Sequence, residues 1–185
     1  MQEACYGEIQ HGHMEQVGYD TYCKLLDEVI KEEQGIVIEP EIDVQIDLNV
    51  SSFLPDSYIS DSSQKIEIYQ NIALCRTEEN IQDVIDEMID RFGQLPDEAE
   101  NLIEIARIKS LAKKNYVTKI TQRRESILFF FEPTKFDVDI INNLIKEYKN
   151  RIKLSADLIP YITLKVDNMS DMNLLIEIEK FLKKF

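Results

Sequence analysis

The ten residues from Ile42 to Ser51 constrain this chain more than any others. Ile42, Val44, Ile46, Leu48 and Val50 alternate strictly with Asp43, Gln45, Asp47, Asn49 and Ser51. Side chains of an extended strand point alternately to opposite faces, so this period of two predicts a strand with one apolar and one wet face. Such a sheet must cover its apolar face with another layer, and the flanking sequence supplies helices for that purpose.

Residues 1–18 contain Gly7, Gly12, Gly18 and both histidines with no sustained apolar period, which predicts a loop-like arm. The domain proper is expected over residues 19–185. It opens with a helix whose buried stripe is Tyr22, Leu25, Leu26, Val29 and Ile30, stopped near Gly35. After the strand, Ser60 or Asp61 can cap a helix with apolar positions Ile66, Tyr69, Ile72 and Ala73. Thr77 can cap the next, where Ile81, Val84, Ile85, Met88, Ile89 and Phe92 form one stripe before Gly93. A third helix begins near Pro96 and carries Ala99, Leu102, Ile103, Ala106 and Leu111, completing a three-helix run over residues 61–114.

Strand character then returns in Val117 to Thr121 and Ser126 to Phe131, joined by a four-residue turn, Gln122 to Glu125, that lacks glycine. A helix with Val138, Ile141, Leu144, Ile145 and Tyr148 follows. Strand candidates Ile152 to Ala156 and Tyr161 to Val166 precede a last helix, capped by Ser170 and packed through Leu174, Leu175, Ile178, Phe181 and Leu182. Helices and strands mix without regular βαβ alternation. The expected class is α+β, a small, largely antiparallel sheet packed with a three-helix run and flanking helices.

At 185 residues, with 44% hydrophobic and 30% charged side chains, the chain can bury a core of its own. No stretch approaches the ~18 consecutive apolar residues of a membrane span, and no secretory leader is visible, so a soluble, cytoplasmic protein is expected. Cys5, Cys23 and Cys75 are spaced for neither a disulfide framework nor a zinc site. The charge is uneven. Residues 1–100 carry 24 acidic and 5 basic side chains, and residues 101–185 carry 11 and 16. The first half is unsuited to phosphate binding, which works by displacing counterions with Lys and Arg, and suits either a basic protein partner or plain solvation.

Catalytic chemistry finds little footing. Neither a G-x-x-x-x-G-K-[ST] nor a G-x-G-x-x-G loop occurs, so no nucleotide cofactor is expected. His11, His13 and Cys5 form an incomplete ligand set in the arm, so no metal is expected. Asp86, Glu87 and Asp90 read as an exposed helix face, since catalytic carboxylates need a desolvated cleft. Arg123 and Arg124 fit either a solvated hairpin tip or contact with phosphate or an acidic partner.

Two loops combine turn chemistry with aromatic and charged residues: Leu54-Pro55-Asp56-Ser57-Tyr58-Ile59, and Ile89-Asp90-Arg91-Phe92-Gly93-Gln94-Leu95-Pro96. They either lock the helical run to the sheet or face a partner. On the second reading Asp56, Tyr58, Ile59, Asp90 and Arg91 are the candidate partner-binding residues.

These residues resemble the carboxy-terminal domain of the bacterial transcription-repair coupling factors, the Mfd family. Gly18-Tyr19-Asp20-Thr21-Tyr22-Cys23-Lys24-Leu25-Leu26 is similar to the family's opening string, Leu54 to Asp61 to its Leu-Pro-Asp-x-Tyr-Ile-x-Asp loop, and Ile89 to Glu98 to its Ile-Asp-Arg-Phe-Gly-x-Leu-Pro-x-Glu turn. The likeness extends from about Gly7 to Phe185. Gly7 to Met14 resembles the end of the translocation motif that follows the family's motor domains. Gln10 occupies its coupling glutamine, expected to be inert without the motor lobes. Met1 to Tyr6 match nothing in that pattern. One departure is Tyr69-Gln70-Asn71-Ile72-Ala73, which lacks a basic pair common in the family.

The resemblance implies a regulatory, autoinhibitory interaction domain without catalysis of its own. It would pack on the amino-terminal module of its parent and mask the site for the excision-repair damage-recognition ATPase. The parent would be an ATP-driven translocase on double-stranded DNA that displaces stalled RNA polymerase. Two rivals remain: a hydrolase working through the acidic helices, and a nucleic-acid or polymerase contact through Lys113, Lys114, Lys119, Arg123 and Arg124. The sequence predicts that the purified chain neither binds nor hydrolyses ATP, having no phosphate loop beside a magnesium-holding carboxylate. DNA-stimulated phosphate release from a contaminant-free sample is the opposing result.

Overall fold

In the computed structural model, residues 43–135, 138–155 and 158–185 are described. The arm of residues 1–18, the helix expected between Tyr22 and Ile30, Cys5, Cys23 and Ile42 lie outside them. The alternation that opens the described part is kept in burial: Val44 is buried and Ile46, Leu48 and Val50 half-buried, while Asp43, Gln45, Asp47, Asn49 and Ser51 are exposed. Only Gln45–Asp47 (β1) forms strand, however. Beyond Asp47 the backbone turns to side-chain partners. The Asn49 amide donates to Gln122 Oε1 (2.9 Å) and the Ser51 amide to Asp171 Oδ2 (3.1 Å).

Three helices follow. Helix α1, Ser62–Leu74, is capped by Asp61, whose carboxylate accepts from the Gln64 amide at 2.8 Å. Its buried apolar residues are Ile68, Tyr69 and Ile72, with Ile66 and Ala73 only half-buried, so the inward face is rotated from the one expected. Helix α2, Glu78–Phe92, starts in a reciprocal capping box between Thr77 and Asn80. It ends at Gly93, where φ of +88° is the left-handed conformation that suits glycine. Helix α3, Asp97–Lys114, has Pro96 as its cap residue. Every residue from Asn101 to Ala106 is buried.

The sheet adds β2 (Val117–Arg123) and β3 (Ser126–Phe131), then β4 (Ile152–Ser155) and β5 (Tyr161–Lys165), in the order β1-β2-β3-β5-β4. The β1–β2 pair is parallel and all others antiparallel, giving the expected α+β class. Strand β2 runs two residues past Thr121, because Arg123 still pairs with Ser126. The turn shrinks to Arg124 and Glu125, with Arg124 taking φ of +53° in glycine's place. Helix α4, Val138–Tyr148, precedes β4, and helix α5, Asp171–Leu182, closes the chain. Ser170 holds the cap position of α5 without a side-chain capping bond.

One sheet face supplies Ile120, Phe129, Ile162 and Leu164 to the core, each fully buried. Phe181 of α5 meets Phe129 at 4.6 Å between ring centroids and Tyr148 of α4 at 5.3 Å. Helices α3 and α5 are joined further by Asn115 Nδ2 donating to the Leu182 carbonyl (2.6 Å). Cys75 is half-buried against this core, its thiol pKa pushed up by burial. Removing the α2 cap by Thr77→Ala should cost about 1 kcal/mol and lower the melting temperature by roughly 2–4 °C, read by thermal denaturation.

Candidate functional site

The two motif loops close on each other. Pro55 turns the chain so that its carbonyl accepts from the amides of Tyr58 and Ile59, both at 3.0 Å. The preceding Leu54 amide donates to the Tyr69 hydroxyl at 2.9 Å, fixing the loop to α1. Tyr58 then reaches the C-terminus of α2, where its hydroxyl donates toward the carbonyl oxygens of Met88 (3.2 Å) and Gly93 (3.0 Å). The Gly93 carbonyl, just past the helix end and outside its i→i+4 ladder, gains a hydroxyl partner in this way. Its ring meets Phe92 edge-to-face at 5.9 Å, and desolvation raises its pKa.

Arg91 is held just as firmly. Its guanidinium bridges Glu87 on its own helix and Glu67 on α1 (3.1 Å to the latter), and lies 5.0 Å above the Phe92 ring. Hydrogen bonds to Glu87 and then Glu67 raise its pKa. Asp56 pairs with Lys65, a largely buried ammonium, and that hydrogen bond lowers the carboxyl pKa. The pairing is therefore present at neutral pH and lost as acid titrates Asp56 below its ordinary range.

The five sequence candidates thus divide. Ile59 is 1% exposed in the main core, so it is a packing residue of this domain. Tyr58 and Arg91 tie loop to helix and helix to helix. Asp56 is exposed beside Lys65, and Asp90 is exposed with no partner among the described residues. Asp90 and Arg91 are adjacent in sequence, yet the helix turns them about 100° apart.

Asp90 belongs to a row. Glu79, Asp83, Asp86 and Asp90 follow i, i+4, i+7, i+11 spacing and all are exposed, opposite the buried Ile81, Val84 and Met88. Asp86 accepts from Gln82 at 2.8 Å, whereas Glu79, Asp83 and Asp90 make no ion pair with described residues. Glu79 and Asp83 were readable from that spacing; Lys65, Glu67 and Glu87 as partners were not, except for the Glu87–Arg91 interval of four. Glu78, one residue before the row, instead binds Arg107 of α3 at 2.5 and 3.1 Å, and Arg107 also binds the buried Glu104 at 3.0 Å. The row therefore rides on a helix fixed at both ends.

The basic set of the second half is scattered. Lys119 and Arg123 lie on β2 and Arg124 at the hairpin tip, while Lys113 and Lys114 close α3. Among the described residues no group of three or more His, Cys, Asp and Glu is arranged to hold a metal ion, and no helix is long and apolar enough to cross a membrane.

These residues define a small α+β domain whose helical layer presents a row of exposed carboxylates. The chain belongs to the TRCF-domain family: the family's model matches residues 48–141. The transcription-repair-coupling factor of Rickettsia prowazekii is 32% identical over 178 residues, 95% of this chain and 16% of that protein. Those of Staphylococcus epidermidis and Bacillus subtilis are 39% identical over 129 residues and 35% identical over 135, which is 69% and 72% of this chain. This chain spans only 11% and 12% of those two relatives. A crystal structure of the C-terminal domain of a transcription-repair coupling factor superposes with a TM-score of 0.70 at 27% identity, covering 77% of this chain and 91% of that one.

The clamp should be visible in stability. Ile59→Ala should cost about 2–5 kcal/mol through lost burial and a residual cavity. Tyr58→Phe should cost about 1 kcal/mol, and Asp90→Ala should stay within roughly 0.5 kcal/mol of the parent. Urea unfolding of the three variants measures this order.

Proposed function

We propose that this chain is a regulatory, non-catalytic interaction domain that covers the amino-terminal module of its parent transcription-repair coupling factor. Docked there, it masks the site at which the excision-repair damage-recognition ATPase is recruited. The parent acts as an ATP-dependent translocase on double-stranded DNA that displaces stalled RNA polymerase, and this domain releases its grip when the parent opens. The observation that carries the reading is the row Glu79, Asp83, Asp86 and Asp90, with none of the four carboxylates in an ion pair among the described residues. Support comes also from the match to the C-terminal domain of a coupling factor, which covers nearly all of that structure.

A row of unpaired carboxylates on an immobilised helix is complementary to a basic protein surface. Because α2 is capped at Thr77 and clamped through Tyr58 and Arg91, its charges are ordered before a partner arrives, which reduces the entropy lost on docking. Exposed charges of this kind chiefly accelerate association and set specificity. Asp56 and Asp90 lie within the contact in this reading. Tyr58, Ile59 and Arg91 support it from behind.

Titration of the chain against the folded amino-terminal module should show saturable binding that competes with the repair ATPase. Replacing Asp83, Asp86 and Asp90 together by Lys should weaken it tenfold or more at low salt, with a smaller difference at high salt. Thermal melts of the triple variant separate lost contact from lost fold. Absence of binding at tens of micromolar and low salt refutes the cover.

A further inference from the structure

We propose that the outer face of the sheet is a binding surface for single-stranded nucleic acid, independent of the carboxylate row on α2. The strand register fixes which side chains share that face. Lys119 pairs with Phe130, Phe130 with Tyr161, Arg123 with Ser126, Ser126 with Lys165, and Lys153 with Thr163. Cross-strand partners project to the same side, so Lys119, Arg123, Lys153 and Lys165 surround a Phe130–Tyr161 pair. The opposite side of these strands carries the fully buried Ile120, Phe129, Ile162 and Leu164. The outer face is the other one; Leu128 and Thr121 are buried between its aromatic and hairpin ends, and Asp47 of β1 shares it, accepting from the Thr121 hydroxyl.

Some cations of the domain are neutralised by a carboxylate and others, such as Lys114, Lys146 and Lys180, are not paired among the described residues. Arg91, Arg107, Arg151 and Lys184 each hold a carboxylate. Lys119, Arg123, Lys153 and Lys165 make no ion pair with described residues, and Arg123, Lys153 and Lys165 are exposed. At the hairpin end, Arg123, Arg124, Arg151, Lys153 and Lys165 line an open cleft of about 320 Å³, with Glu125 as its single carboxylate. Arg151 borders this cleft while its guanidinium is held by Glu177 of α5 (2.7 Å). Arg123, Arg124, Lys153 and Lys165, four cations without an ion pair among the described residues around one open cleft, are suited to a phosphodiester, whose binding displaces condensed counterions.

The aromatic pair determines which polyanion fits. The Phe130 and Tyr161 rings lie 5.1 Å apart at 36°, and both residues are half-buried. Tyr161 and Lys165 are four residues apart on β5, roughly 13 Å, which places a stacking platform and a phosphate cleft within reach of one short strand. Unpaired bases stack on aromatic side chains while their backbone follows a basic groove. A duplex hides its base faces from such a stacking platform. An acidic peptide would use the cations and leave the rings idle.

The test is fluorescence anisotropy of the whole 185-residue chain with a labelled oligo(dT) 12-mer, a 12-bp duplex and poly-glutamate. Saturable binding to oligo(dT) is expected, tighter than to duplex or poly-glutamate. With four free cations engaged, affinity should fall about fiftyfold between 50 and 200 mM salt. The double variant Arg123→Glu, Lys165→Glu should abolish binding, and Tyr161→Leu should weaken it about tenfold, both with unchanged melting temperature. Replacement of Asp83, Asp86 and Asp90 by Lys should not weaken it, so failure of the cover hypothesis is read separately. No binding at 50 mM salt overturns the proposal. Equal binding of poly-glutamate with no effect of Tyr161→Leu overturns it in favour of an acidic protein partner.

Discussion

Helix α3 is buried on nearly every side, and the rest of the domain is arranged around that fact. It contacts α1 and α2 on one flank and β2 and α5 on another. A helix enclosed in this way cannot leave polar groups unmatched, since an unsatisfied buried group costs about 1–3 kcal/mol. Asn101 donates to the Ser51 carbonyl at 2.9 Å, and Glu104 is held by Arg107. Those bonds reach outward to the segment after β1 and to the start of α2. The polar residues of α3 therefore fix the relative placement of its neighbours while its apolar residues supply the adhesion.

Much of this was legible in the sequence, for reasons that differ by element. Helix α2 has one wet and one buried face, so its stripe, its Thr77 cap and its Gly93 stop all signal the same boundaries. Strand β3 was equally plain in its apolar run, and β2 and β5 in their β-branched and aromatic residues. Helix α3 is the opposite case: with six consecutive buried residues, its periodicity does not reveal its depth. Alternation over residues 42–51 forecast the burial of each described side chain but not the length of β1, because pairing depends on which distant groups meet the backbone. The α1 face was misread at Ile66 because Lys65, a charged residue, occupies a buried position beside Asp56.

The site was legible in part. Motif strings singled out the two loops, and they do meet, but most of their chemistry is directed inward. Tyr58 ends a helix, Ile59 fills the core and Arg91 bridges α1 and α2. Only the third dimension separates Asp90 from Arg91, and only strand register assembles Lys119, Arg123, Lys153 and Lys165 on one face with Phe130 and Tyr161. Nothing in the spacing of Lys153 along the chain announces that it will sit near Arg123.

The segregation of charge also has a consequence for motion in solution. Among the described residues, carboxylates without ion pairs line α2 and cations without ion pairs gather on the outer sheet face, so the two surfaces carry charge of opposite sign. In the field of a charged surface such a body experiences a torque before any contact forms. It arrives already turned, and the fraction of encounters with a correct orientation rises accordingly.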